Sequence, residues 1–143
     1  MGRKPIKRRN SEFHRLQKEV YWAYMNNCLR KHLNFPVTMA EFIPFTTQNC
    51  YYCGREPSNT MQKLKHSDEI LLYQGVDRKS NVRGYVLDNL VPCCHPCNSI
   101  KGNHLTYDEM IQLAPLLRKL REDRIRLVQE QQVPLPTTNP SQK

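Results

Sequence analysis

The stretch that decides the fold is Gly75–Lys101, "GVDRKSNVRGYVLDNLVPCCHPCNSIK". It places an acid, Asp77, directly before a strong cation, Arg78. Asn89 follows, and then Cys94-x-x-Cys97 runs straight into Asn98 and Lys101. Two apolar runs, "EILLYQGVDR" and "GYVLDNLVP", stand on either side of the polar loop "KSNVRG" and read as strands. A short helix is expected from His95 or Pro96 through Lys101, closed by Gly102. The local order is strand, loop, strand, helix.

Upstream stands a second cysteine pair, Cys50-x-x-Cys53, in "TTQNCYYCGREPSNT", which reads as a tight turn with Gly54 after the second thiol. Two thiolates two residues apart can meet one metal ion from a single turn. They leave two tetrahedral positions for the pair Cys94 and Cys97. The 40 residues between Cys53 and Cys94 carry both expected strands. Four thiolates close the coordination shell, so a Zn²⁺ ion here is structural and any chemistry lies elsewhere. Cys93 is an alternative ligand to its neighbour, though its spacing to Cys97 is less usual. Cys28 is expected in the core of the first helix.

Working outward, apolar residues Phe13, Leu16, Val20, Ala23 or Tyr24 and Cys28 recur at helical spacing, predicting a helix from Ser11 to about Leu33. "TMAEF" predicts a second helix opened by a Thr38–Glu41 capping box and stopped near Pro44. Thr106 and Glu109 open a third, with an apolar face of Met110, Leu113, Leu116 or Leu117, Leu120 and Leu127. Pro115 is expected to kink or split it. The organisation expected is a basic disordered arm (1–10), an N-terminal helical segment (11–47), a zinc-stapled core (48–104), a C-terminal helix (105–132) and a flexible proline-rich tail (133–143).

The chain has 143 residues and a formal charge of +9, of which residues 1–35 carry +7. A basic arm of Arg3, Lys4, Lys7, Arg8 and Arg9 suits a polyanion through counterion release. No apolar run reaches the roughly 20 residues a membrane span needs, and no signal-peptide core follows the basic start. The expectation is an intracellular, reducing compartment where nucleic acid is found, with no membrane partner and no secretion.

The order Cys50-x-x-Cys53, Val76-Asp77, Asn89, Cys94-x-x-Cys97-Asn98 and Lys101 resembles the zinc-bearing HNH endonucleases, in a variant frequent among phage and large-virus members. The resemblance spans roughly Cys50 to His104. It implies an α+β fold: a small ββα-metal unit stapled by the four-cysteine zinc site and flanked by N-terminal and C-terminal helices. It further implies that Asp77 and Asn98 hold a catalytic Mg²⁺ or Mn²⁺ ion and that Asn89 braces the loop. The family's catalytic base is a histidine where this chain has Arg78. A guanidinium stays protonated and cannot take a proton from water, so Arg78 is expected to clamp the scissile phosphate. His95, His104 and His66 are the nearby alternatives for the base, and a metal-bound hydroxide is a further option.

The function implied is a metal-dependent DNA endonuclease or nickase. Arg78 and Lys101 are expected on phosphates, with Arg55, Lys79 and Arg83 as further, weaker candidates. The alternative is a zinc-stabilised nucleic-acid-binding module derived from the same fold without catalysis. In that case the C-terminal helix offers a docking surface for a protein partner or a second copy. A pure DNA-reading zinc finger fits poorly, because "HPCNSIKGN" is short and lacks base-reading side chains. Charge alone does not separate DNA from structured RNA.

Overall fold

The computed structural model describes residues 4–5, 11–62 and 69–132. Arg3, Lys7, Arg8, Arg9, His66 and the expected tail lie outside them. In chain order come β1 (Lys4–Pro5), α1 (Ser11–Arg30), α2 (Met39–Thr46), β2 (Asn59–Gln62), β3 (Glu69–Tyr73), β4 (Val76–Arg78), a single 3₁₀ turn (Leu87–Asn89), β5 (Leu90–Pro92), α3 (His95–Lys101) and α4 (Tyr107–Gln132). Strands β1, β3 and β2 form one sheet, with β1 parallel and β2 antiparallel to β3. β4 and β5 form a second, antiparallel pair in the register Asp77 opposite Val91. With α3 behind it, this pair is the expected strand–strand–helix unit.

Several expectations need correction. "EILLYQGVDR" is not one strand but two, broken at Gln74–Gly75. A Cβ on Gly75 would stand 2.6 Å from the Cys93 carbonyl oxygen, so only glycine lets the backbone pass close enough for Cys93 N–H to reach the Gly75 carbonyl. "GYVLDNLVP" contributes only Leu90–Pro92 as strand, because its first half closes the 3₁₀ turn. Asn59 and Thr60, read as the end of a turn, open a strand, Asn59–Gln62, that pairs with β3 from Asn59 opposite Tyr73 to Gln62 opposite Ile70. Finally, α4 runs unbroken through Pro115 for 26 residues. The buried Met110 and Ala114 anchor the turn before the proline against the core, and the loss of one backbone bond does not divide the helix.

The helix ends follow local chemistry. α1 stops at Arg30 because His32 adopts φ +53°, and Leu33 N–H then bonds the Cys28 carbonyl at 2.9 Å while His32 N–H bonds Leu29. These two bonds make a Schellman cap. Both capping boxes are closed: Thr38 exchanges bonds with Glu41, and Thr106 with Glu109. Within the arm, Lys4–Pro5 is a short strand rather than irregular chain.

Two cores share the small β4–β5 pair. Phe13, Leu16 and Val20 of α1, Phe42 of α2, Leu71 of β3, Val76 of β4 and Leu90 of β5 form the first. The cysteines, Tyr52, Val91 of β5, and Met110 and Ala114 of α4 form the second. Leu90 and Val91 are consecutive, so the two-residue period of β5 sends one side chain into each core. Gly84 packs so tightly on the α1–α2 connection that an added Cβ would meet Asn34 O at 2.5 Å. The N-terminal helices therefore buttress the loop that follows β4.

Candidate active site and thiolate centre

The Cys50–Cys53 turn is built by Gly54, at φ +74°, whose N–H bonds the Cys50 carbonyl at 2.9 Å. It docks on the edge of β5 through Tyr51 N–H to the Pro92 carbonyl, 2.8 Å. From α4, Arg118 donates to the carbonyls of Tyr52 and Tyr51 at 2.9 and 3.0 Å. Cys94 and Cys97 open α3 opposite. All four Sγ atoms lie within 4.8 Å of one another and all four residues are buried. Cys53 and Cys94 are 3.6 Å apart, close to the roughly 3.8 Å that tetrahedral geometry with ~2.3 Å metal–sulfur bonds requires. These residues fit a metal ion. Cys93 falls outside the set: it is buried alongside, with its thiol 3.4 Å from the Cys94 carbonyl. Hydrogen bonds from Cys93, Cys94 and Cys97 hold the Cys50 thiol far below its usual range, whereas sharing that charge pushes Cys94 up to about 12. Four buried thiols converging on one point are the arrangement that a cation would complete, by letting them ionise.

Asp77 lies one layer away and is 5% exposed. Its carboxylate accepts a hydrogen bond from the Tyr52 hydroxyl at 3.0 Å. It also accepts from Lys101 Nζ, 3.1 Å from Oδ1 and 3.0 Å from Oδ2. Lys101, 1% exposed, completes its shell with the Arg78 carbonyl and with Asn81 Oδ1 at 3.4 Å. This corrects the expectation that Lys101 grips phosphate from the surface: it lies on the inner face of α3 with its ammonium saturated. Burial, and then the charge of Asp77, push the Tyr52 hydroxyl well above its usual range, so it remains the proton donor of this pair.

Asn89 is 1% exposed and ties the loop after β4 into one shape. Its Oδ1 accepts from Ser80 N–H at 2.9 Å, and its Nδ2 donates to the carbonyls of Ser80 and Gly84 at 3.1 and 3.0 Å. Arg78 Nη1 donates to the carbonyls of Asn81 and Arg83 at 2.9 and 3.0 Å, and its guanidinium stacks 5.4 Å from the Tyr85 ring centre. Arg78 is thus at least partly a brace of the same loop, not wholly a free clamp. Val76 N–H bonds the Tyr24 hydroxyl at 3.0 Å, which fixes the start of β4 from α1.

The braced loop forms one wall of a polar cleft of about 480 Å³, lined by Lys79, Asn81, Arg83, Asn103, His104 and Tyr107 among others. Lys79 lies over the Tyr107 ring and Arg83 pairs with Asp88. Arg55 faces a different hollow, shared with Arg121 and Arg124. Asn98 is exposed on α3 and makes no side-chain hydrogen bond among the described residues. Three hydrogen bonds leave the Asp77 carboxylate with one acceptor position to spare. Both residues carry hard oxygen donors of the kind a divalent ion takes, but no hydrogen bond joins Asp77 to Asn98 among the described residues. His95 is exposed and lines neither hollow. The sequence reading missed Tyr52 and the burial of Lys101. The available signals were a large aromatic inside the Cys-x-x-Cys turn and a lysine one helical turn after Asn98.

No family profile matches the chain. It is 33% identical over 90 residues, 63% of its length, to an uncharacterized protein (R423) of Acanthamoeba polyphaga mimivirus, and spans 15% of that protein. Among solved structures it is similar to the rare-cutting HNH restriction endonuclease PacI, in a structure describing DNA perturbation. The superposition covers 76% of this chain and 80% of PacI, with TM-score 0.61 and 22% identity. The paired strands, following helix and convergent cysteines of this chain thus carry the HNH endonuclease fold.

Proposed function

We propose that this protein is a DNA endonuclease or nickase of the HNH type, stapled by Zn²⁺ at Cys50, Cys53, Cys94 and Cys97 and dependent on Mg²⁺ or Mn²⁺ held by Asp77 and Asn98. The observation that carries this reading is the fixed carboxylate of Asp77, buried between β4 and α3 and linked through Lys101 and Asn81 to the polar cleft. PacI, a restriction endonuclease of the same fold, supports DNA as the substrate. When bound, the divalent ion supplies charge stabilisation to the phosphoryl oxygens.

The chain's own residues do the rest. Lys79 and Arg83 hold phosphates along the cleft, and the basic arm of Arg3, Lys4, Lys7, Arg8 and Arg9 adds sequence-independent attraction. Asn89 and Arg78 keep the loop rigid, so that these cations stay in register. Of the described histidines near the motif, His104 lines the cleft and is assigned to accept the proton of the attacking water. None of the described helices is long and apolar enough to cross a membrane.

One observation favours a second reading, DNA binding without cleavage: Lys101 already neutralises Asp77 in direct contact. Plasmid nicking in Mg²⁺ or Mn²⁺ decides between them. Asn98 is exposed, so Asn98→Ala should leave thiolate-bound metal unchanged while lowering cleavage at least a hundredfold. DNA binding with no cleavage by the unaltered protein in either metal would establish the second reading.

A further inference from the structure

The Cys50-x-x-Cys53 turn does more than supply two thiolates. Tyr52 stands between them and is fully buried. Its backbone carbonyl is gripped by Arg118 of α4, and its hydroxyl reaches across to Asp77 Oδ2 at 3.0 Å. We infer that Tyr52 is a positioning residue, a rigid arm by which the metal-stapled turn fixes the Asp77 carboxylate against Lys101. The inference rests on the catalytic reading above and assigns to it a residue the motif does not contain.

The geometry explains why a tyrosine serves here. Lys101 alone can pair with a carboxylate in many rotations, because an ammonium is a point charge with three equivalent donors. A second donor on Oδ2, delivered by an inflexible ring, fixes the carboxylate plane. The ring is itself held at both ends. Its backbone is fixed by the thiolate turn and by Arg118, while its hydroxyl is committed to Asp77. Asp77's remaining acceptor position is then held in one direction rather than several. Misplacing such a group by about 1 Å costs up to a hundredfold in rate.

The test is Tyr52→Phe, which keeps the ring and deletes the donor. Thiolate-bound metal and the KM for DNA should stay at wild-type values while kcat falls ten- to a hundredfold. A merely structural role would lower metal content or stability and leave kcat per folded molecule unchanged, and that result overturns the inference. If the unaltered protein does not cleave, the catalytic reading fails separately. The positioning role is then read from ¹⁵N-lysine NMR, in which the Lys101 ammonium protons exchange slowly in wild type and at least several-fold faster in Tyr52→Phe. Unchanged exchange overturns it. Should Tyr52→Phe fail to fold, the unaltered protein still decides: a slowly exchanging tyrosine hydroxyl proton supports the bond to Asp77, and its absence rejects it.

Discussion

The two buried polar clusters lie on either side of one tyrosine and balance charge in opposite ways. At the thiolate centre four groups of one kind converge, with no cation of the protein among them. At Asp77 the anion comes with its own counter-ion, Lys101, and with enough neutral partners to satisfy both. The first cluster has the geometry that an ion from outside would stabilise. The second is stable as the chain makes it. Their difference separates what holds the fold together from what gives the site its direction.

That contrast can be broken in several ways. The largest effect is expected at the thiolates. Chelating the metal or replacing Cys97 by Ser should cost on the order of 10 kcal/mol and unfold the core between Cys50 and His104, seen as loss of far-UV circular dichroism and of a cooperative thermal transition. Retention of a cooperative transition after complete metal removal would remove the distinction. Next comes Asp77→Asn, which strands a buried ammonium and should cost about 3–5 kcal/mol in urea unfolding with thiolate-bound metal unchanged. The double change Asp77→Leu with Lys101→Met should recover most of that loss, because the pair offsets its own desolvation. A double variant as unstable as the single one would show that the pair is not self-sufficient. The smallest effect sharpens the comparison from outside both clusters. Thr106→Ala, at the start of α4, should cost about 1 kcal/mol. It should add to Asp77→Asn without coupling, since Thr106 shares no partner with that cluster.

The thiolate centre was legible in the sequence because its geometry is local. Each Cys-x-x-Cys is a single turn, so spacing alone puts two sulfurs on one point. The capping boxes at Thr38 and Thr106 were legible for the same reason. Strand limits were less so: Gly75 breaks an apolar run because of an approach to Cys93, 18 residues along, and no window around Gly75 contains that contact. Lys101 misled because lysine is rarely buried unless paired, and its partner lies 24 residues upstream on a different element. Tyr52 went unread, since its role depends on a strand 25 residues further on. Pro115 obeyed tertiary packing over its own propensity.

The long interval between the cysteine pairs sets the order in which the molecule is completed during synthesis. Cys50 and Cys53 leave the ribosome first and offer half a coordination shell. The strands β2 to β5 emerge next, and only with Cys94 and Cys97 would a thiolate-bound ion gain its full set. Closing a loop of this size carries an entropic cost that grows only slowly with length. The waiting time is therefore set by translation rather than by search. Until Cys94 and Cys97 arrive, the turn that carries Tyr52 lacks its partner pair, and Lys101, four residues after Cys97, joins Asp77 only once that pair is in place.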